Sequence, residues 1–304
     1  MKALFSAVEL LGDLVEITPT LYAWKKANPE YEIELRLQDQ PHCHVLENLP
    51  GIAVSFIPGD FDLTRNPADK DTYDFFHLFA VQNASKHSWR LNRPISEGYA
   101  VHLNDEIRRS KKEVKTVNLK DYTPILPTID IYNEKWPMVN SYISVTPFCG
   151  GRITTPDGGG DRPLGWKLWN SIFEFLTIKT KHDIAVLGHD RTDWTMFDKY
   201  VKPSNRIHKV SIPSVKDTID FIFNEPRGVG FISPDSGYLH CVSGGVKQLN
   251  SKLGCMIFLT KAVPTYVSYP YGIPKEQIIV SLAHNGDLKF TDIRQKLYLF
   301  TDII

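Results

Sequence analysis

The chain has 304 residues and 42% hydrophobic content, enough to bury more than one core. Its 35 basic and 35 acidic residues cancel, so no overall field pulls it toward nucleic acid or an anionic membrane. The four cysteines, Cys43, Cys149, Cys241 and Cys255, are scattered without a C-x-x-C pair, which excludes a zinc ribbon and fits a reducing compartment.

Residues 1–11 are apolar but run straight into Gly12-Asp13 with no cleavage site, and no window approaches a membrane span. The expectation is a cytoplasmic protein. Residues 2–8 read as a buried strand. Leu14, Val15, Ile17, Leu21 and Trp24 then recur at helical spacing, with Pro19 near the start and Lys25, Lys26 and Asn28-Pro29 closing the helix. Residues 32–37 alternate as a second strand, 45–51 suggest a short helix, and 52–57 form a third strand. Residues 75–79 are another apolar run, which would bring Asn83 and Ser85 to the same rim. His42-Cys43-His44 reads as a solvated loop, and so does Asp69-Lys70-Asp71, which precedes an apolar run where a metal-binding Asp-x-Asp would follow one. Strand–helix alternation implies a parallel sheet with right-handed crossovers.

Periodicity is lost between residues 110 and 137, where Lys, Pro and Asn accumulate, so one domain is expected over 1–135. A second α/β pattern occupies 136–290. It comprises a strand at 141–147, a Gly-rich loop at 149–160, a helix at 166–178 and a strand at 183–187 ending on Gly188-His189-Asp190. A short strand at 207–212, a helix at 215–223 and strands at 229–232 and 255–259 follow. In residues 278–290 the turn signal His284-Asn285-Gly286-Asp287 predicts two short strands joined by a hairpin. Residues 291–304 are predicted to form a helix that crosses back onto the first domain.

One stretch organises the second half. The apolar run 229–232 ends at Ser233-Pro234-Asp235-Ser236-Gly237, and a helix starts there. The N–H groups of Ser236, Gly237 and Tyr238 would face out of the helix start, where the dipole favours anions, and Gly237 lets a phosphate approach the backbone. His240 follows Ser236 by one turn, on the same face. The spacing fits a diphosphate site and equally an ordinary capped βα turn.

Leu11-Gly12-Asp13, Thr18-Pro19, Leu21, Lys25, Pro29 and Leu49-Pro50-Gly51, taken with Ser233-Pro234-Asp235-Ser236-Gly237-Tyr238-Leu239-His240, Gly245, Leu253-Gly254 and Tyr269-Pro270-Tyr271-Gly272, resemble the heptosyltransferase-like glycosyltransferases (glycosyltransferase family 9) in sequence order. The resemblance implies a GT-B fold, two Rossmann-like parallel-sheet domains facing across a cleft. It also implies inverting transfer from a nucleotide-diphosphate sugar. It places the catalytic carboxylate at Asp13, with Gly12 beside it on the acceptor side. Thr154, Thr155 and a cation would hold the diphosphate, Arg162 standing where the family has Lys and Lys167 being the rival. Asp190, or alternatively Asp193, would meet the ribose. Asp235 would meet the donor sugar, and Ser236, Gly237 and His240 the diphosphate.

No catalytic metal and no cofactor beyond the donor are expected, because cations and a helix start can carry the phosphate charge. The acceptor is expected to be a glycan or lipopolysaccharide core, reached by a monomer in the cytoplasm or peripheral at the inner membrane. A modest basic zone of Lys86, His87, Arg90, Arg93, Arg108, Arg109, Lys111 and Lys112 would lie on the acceptor side. With Trp89 to stack on a base, the same zone fits transfer to a hydroxylated base in DNA. A nucleotide-sugar-binding protein without turnover and a nucleotide-sugar epimerase are the further readings. The donor sugar, the nucleotide base and the acceptor are not readable from the sequence.

Overall fold

The computed structural model describes residues 1–58, 61–110, 113–132, 134–136, 138, 140–148, 164–260, 264–283 and 288–304. The chain divides into two compact units, Met1–Thr128 with Tyr266–Gly272, and Ile129–Thr265 with Ile273–Ile304. The break falls at 128/129, where the sequence reading put it at 135/136.

The first unit contains β1 (Lys2–Ala7), α1 (Leu11–Glu16), α2 (Thr18–Ala27), β2 (Glu32–Gln38), β3 (Ala53–Ile57), α3 (Phe61–Arg65), β4 (Phe75–Phe79), α4 (Val81–Leu91) and α5 (Ile95–Ser110). Its four strands run parallel in the order β3-β2-β1-β4. All but the first residue of β1 are buried, as a central strand covered on both faces requires. Phe5 packs on Trp24 at 4.9 Å and stacks on Phe79 at 5.6 Å, joining β1, α2 and β4 in one aromatic core. Helix α2 begins with Pro19 in its first turn and ends on Lys25 and Lys26, each favourable for the dipole at its end.

The second unit contains β5 (Tyr142–Val145), α6 (Trp166–Lys179), β6 (Asp183–Gly188), α7 (Thr195–Tyr200), β7 (Ile207–Ser211), α8 (Val215–Ile222), β8 (Gly228–Pro234), α9 (Gly237–Leu249) and β9 (Gly254–Thr260). The short α10 (Thr265–Ser268) lies, from Tyr266 on, in the segment that belongs to the first unit, and β10 (Ile278–Ala283) and α11 (Phe290–Ile303) complete the second. Six parallel strands lie in the order β10-β9-β8-β5-β6-β7.

Both sheets reverse their direction of winding once. In the first the chain leaves β1 for β2 and β3, then returns to β4 on the other side of β1. In the second it leaves β5 for β6 and β7, then returns to β8 on the other side of β5. The carboxyl ends of β1 and β4, and of β5 and β8, are therefore switch points, where a crevice opens between loops that diverge.

Helix α11 belongs to the second unit. It buries Ile293, Leu297 and Phe300 in the core of the second, with Phe173, Met256 and Phe258. The reason is local: Gly230 and Gly254 leave room on β8 and β9, and a Cβ at Gly254 would lie 2.6 Å from Ile304 and 2.9 Å from Ile303. Of the two strands expected in residues 278–290, the first is β10, paired in parallel with β9, whereas at the place of the second Lys289 caps α11 and Phe290 opens it. The hairpin turn expected at His284–Asp287 lies outside the described residues.

Asp69 and Asp71 belong to a short 3-10 turn, and the Asp69 carboxylate accepts two hydrogen bonds from Arg36, at 2.7 and 3.2 Å. His44 pairs with Asp39 at 2.9 Å and stacks on Phe56, while burial pushes the Cys43 thiol up to about 11. Among the described residues, no helix is long and apolar enough to cross a membrane.

Candidate active site

In the second unit, loops at the carboxyl ends of β5 and β6 and the first turn of α9 enclose a cavity of about 410 Å³. That volume is in the range of small-molecule sites. Its aromatic walls are Phe148, Trp166 and Tyr238, and its polar lining includes Thr146, His189, Arg191, Thr192, Asp193 and Thr218. Phe148 meets Trp166 edge-on at 5.9 Å and Trp194 at 5.6 Å, so the wall is a packed cluster. The turn after β6 is tight: the His189 N–H donates to Thr192 Oγ1 at 2.6 Å and the Thr192 N–H to the His189 carbonyl at 2.8 Å. Glycine at 188 leaves room for both neighbours, since a Cβ would stand 2.5 Å from the Trp194 ring and 2.9 Å from Thr192 Oγ1.

The corner after β8 adjoins this cavity. Thr146 Oγ1 donates to Ser233 Oγ at 2.8 Å, and Ser233 Oγ lies 2.9 Å from Ser236 Oγ, so a hydroxyl row connects the cavity lining to the start of α9. Ser236 is the N-cap residue, yet among the described residues no side chain caps the helix, and its own hydroxyl is turned toward Ser233. Among the described residues the Leu239 N–H turns to the Ser236 carbonyl at 3.1 Å, and the N–H groups of Gly237 and Tyr238 are left for an anion or water. Gly237 and Tyr238 are half-buried at this edge. Asp235 and His240 are buried, 2% and 7% exposed, with His240 Nε2 at 4.0 Å from Asp235 Oδ1.

In the first unit, Gly12 and Asp13 are half-buried in the first turn of α1, directly after the carboxyl end of β1. The sequence reading missed the residue that completes this switch point, Glu9. Its Oε1 accepts the Val81 N–H at 2.8 Å, linking the loop after β1 to the start of α4 after β4. Burial, opposed by that hydrogen bond and reinforced by the charge on Asp13, lifts the Glu9 carboxyl to about 7, with Arg65 pulling the other way. Burial together with Asp13, Glu9 and Glu16 raises the Tyr99 phenol well above its ordinary value. Nothing local in the sequence marks Glu9, because its environment is made by a residue 72 positions away.

A pH dependence follows. The unfolded chain gives up the Glu9 proton near 4.5, whereas the folded chain keeps it to about 7. Between those values the folded state holds the extra proton, so this group's contribution to stability falls as pH rises through the window and stays low above it. Glu9→Gln keeps an acceptor for the Val81 N–H and cannot ionise. It should match the wild type near pH 5 and be more stable near pH 8 by about 1–2 kcal/mol, discounted for partial solvent contact. Thermal melts at both pH values read this, and equal melting temperatures near pH 8 would mean that the folded state does not protect the proton.

The remaining expected residues distribute as follows. Thr154, Thr155 and Arg162 lie outside the described residues. Lys167, the rival cation, is exposed at the second position of α6. Asp190 is exposed and does not line the cavity, while Asp193 does and accepts the Thr195 N–H at 2.9 Å. Lys86 and Arg90 are exposed on α4 with Trp89, which is 53% exposed. The basic zone is interleaved with carboxylates, for Arg108 pairs with Asp105 at 3.0 Å and Arg93 with Glu97 at 3.9 Å. Arg191, Phe148 and Thr218 were not anticipated, although the Gly188 turn that carries Arg191 was.

No protein-family model matches the chain, and no curated protein does. Solved structures do match. The E. coli ADP-heptose lps heptosyltransferase II is similar with a TM-score of 0.61 over 99% of this chain and 98% of that one, at 11% identity. A glycosyl transferase family 9 structure from Veillonella parvula gives 0.62 over 100% and 90%, again at 11% identity. The E. coli heptosyltransferase WaaC with ADP gives 0.56 over 100% and 99%, at 11% identity. At such identity the likeness is one of fold: the two parallel-sheet units have the GT-B architecture of the heptosyltransferase-like glycosyltransferases.

Proposed function

We propose that the chain is an inverting glycosyltransferase that moves a sugar from a nucleotide diphosphate to an acceptor hydroxyl without a catalytic metal. The observation that carries this reading is the cavity at the β5/β8 switch point, joined through Thr146, Ser233 and Ser236 to an uncapped helix start. An aromatic-walled cavity suits a nucleoside, and the helix start beside it suits the diphosphate. In the reaction the acceptor oxygen bonds to the anomeric carbon as the carbon–phosphate oxygen bond breaks on the opposite face. Asp13 takes the hydroxyl proton, and the first turn of α9 stabilises the departing nucleoside diphosphate. A glycan or lipopolysaccharide-core acceptor is the class that suits the fold, with ADP-heptose the first donor to try, since WaaC binds ADP.

Thermal-shift measurement against ADP-, UDP-, GDP- and CDP-sugars tests the donor half. One nucleotide class should raise the melting temperature, with stabilisation of about 2.7 kcal/mol at a hundredfold excess over Kd. Gly188→Ala, whose methyl would push Trp194 and Thr192, should lose that shift while still folding. If no nucleotide sugar stabilises the wild type, the reading fails. Donor turnover without any acceptor would point to an epimerase instead.

Trp89, Lys86 and Arg90, exposed together on α4, favour a second acceptor reading, a hydroxylated base in DNA. Electrophoretic shift with duplex DNA at two salt concentrations separates this from a glycan acceptor.

A further inference from the structure

We propose that His77, His102 and Glu106 form a site for a divalent transition-metal ion of the zinc type, tying helix α5 to strand β4 in the first unit. His102 and Glu106 are four residues apart on α5 and so share a face. His77 stands mid-strand on β4 and is fully buried. One carboxylate addresses both rings: Glu106 Oε2 lies 2.6 Å from His77 Nδ1, and Oε1 lies 3.6 Å from His102 Nε2. The three donor atoms fall within 4.8 Å of one another.

The convergence of two imidazoles and a carboxylate, with donor atoms within 4.8 Å, is what points to an ion. In each ring, the nitrogen facing Glu106 is engaged, while the other, His77 Nε2 or His102 Nδ1, is buried and has no hydrogen-bond partner among the described residues. Without a metal, His77 must keep its proton on Nδ1 to donate to the carboxylate. That leaves a bare Nε2 lone pair buried in a ring packed edge-on against Phe79 at 4.8 Å. With a metal, the Nδ1 lone pair becomes the ligand and the proton moves to Nε2. Asn83 reaches the same His102 nitrogen, its side-chain Nδ2 at 3.1 Å from Nε2, and with the amide turned over it offers an oxygen.

Two imidazoles and one carboxylate suit zinc, cobalt or nickel better than magnesium or calcium. The Glu106 side chain is 42% exposed, which gives an ion a way in from solvent. The role is structural. None of the three ligands takes part in the transfer proposed above, so the two ideas fail separately.

The test is titration of the chelator-dialysed full-length protein with Co²⁺, followed by visible absorption, and with Zn²⁺, followed by melting temperature. One equivalent of Co²⁺ should bind with d–d bands of a low-coordinate nitrogen–oxygen site, Zn²⁺ should displace it, and Zn²⁺ should raise the melting temperature. His102→Ala should weaken binding by at least about tenfold to a hundredfold, whereas His44→Ala, removing an exposed surface histidine, should not. Should His102→Ala fail to fold, Glu106→Gln on the half-exposed helix face serves in its place. Absence of stoichiometric Co²⁺ binding by the wild type, or equal affinity in the ligand variants, overturns the site.

Discussion

Asp13→Asn should lower the rate of sugar transfer by roughly 10²–10⁴-fold while leaving nucleotide-sugar binding unchanged. The substitution preserves shape and removes only the ability to take a proton. Asp13 lies in the first turn of α1. Burial keeps the Glu9 carboxyl protonated to about 7, and the neighbouring Asp13 adds to that rise. Removing the Asp13 charge takes away one of the influences that raise Glu9, so in Asp13→Asn the Glu9 carboxyl should titrate lower, toward 4.5. Transfer kinetics with the donor and acceptor identified by screening, thermal shift with the donor, and NMR titration of Glu9 read the three effects. Undiminished transfer by Asp13→Asn would remove it as the base, and loss of donor binding would mean that it acts on the donor instead.

The parallel strands were legible because each is a short apolar run between turn residues, and the order of elements then dictates parallel pairing. The βα corner after β8 was legible for the same reason, since Gly237 and the small polar residues before it have few other uses. What stayed hidden was set by distant partners. The apolar face of α11, Ile293, Leu297 and Phe300, announces that the helix must be buried, but its docking place is decided by the absence of side chains at Gly230 and Gly254. Helix α5 carries Ile95, Tyr99, Leu103 and Ile107 at helical spacing, yet Ser96 and His102 interrupt the stripe, and the sequence does not say that Ser96 is buried. The Glu9 carboxyl reads as a solvated acid until Val81 is seen to cover it.

Gly98→Ala should lower the melting temperature by on the order of 10 °C, the largest stability loss expected of any single methyl in the first unit. Helices α4 and α5 cross where Ala84, Ser88 and Gly98 meet, and a Cβ at 98 would stand 2.2 Å from the Ala84 carbonyl oxygen and 2.9 Å from its carbon. Two effects compete. Alanine is the better helix former by about 1 kcal/mol, which would stabilise α5 in isolation. The clash, however, is with backbone of the neighbouring helix, which no rotamer change relieves, and overpacking of that kind costs about 1–3 kcal/mol or more. The clash wins, because the helices can relieve it only by moving apart and opening the core that holds Tyr99 and Leu103. That movement also displaces His102 and Glu106 from His77, so Gly98→Ala should weaken Co²⁺ binding along with stability. Lys86→Ala, on the exposed face of α4, should change stability by no more than about 0.5 kcal/mol and serves as the control. A Gly98→Ala protein as stable as the wild type would mean that α4 and α5 do not approach each other this closely.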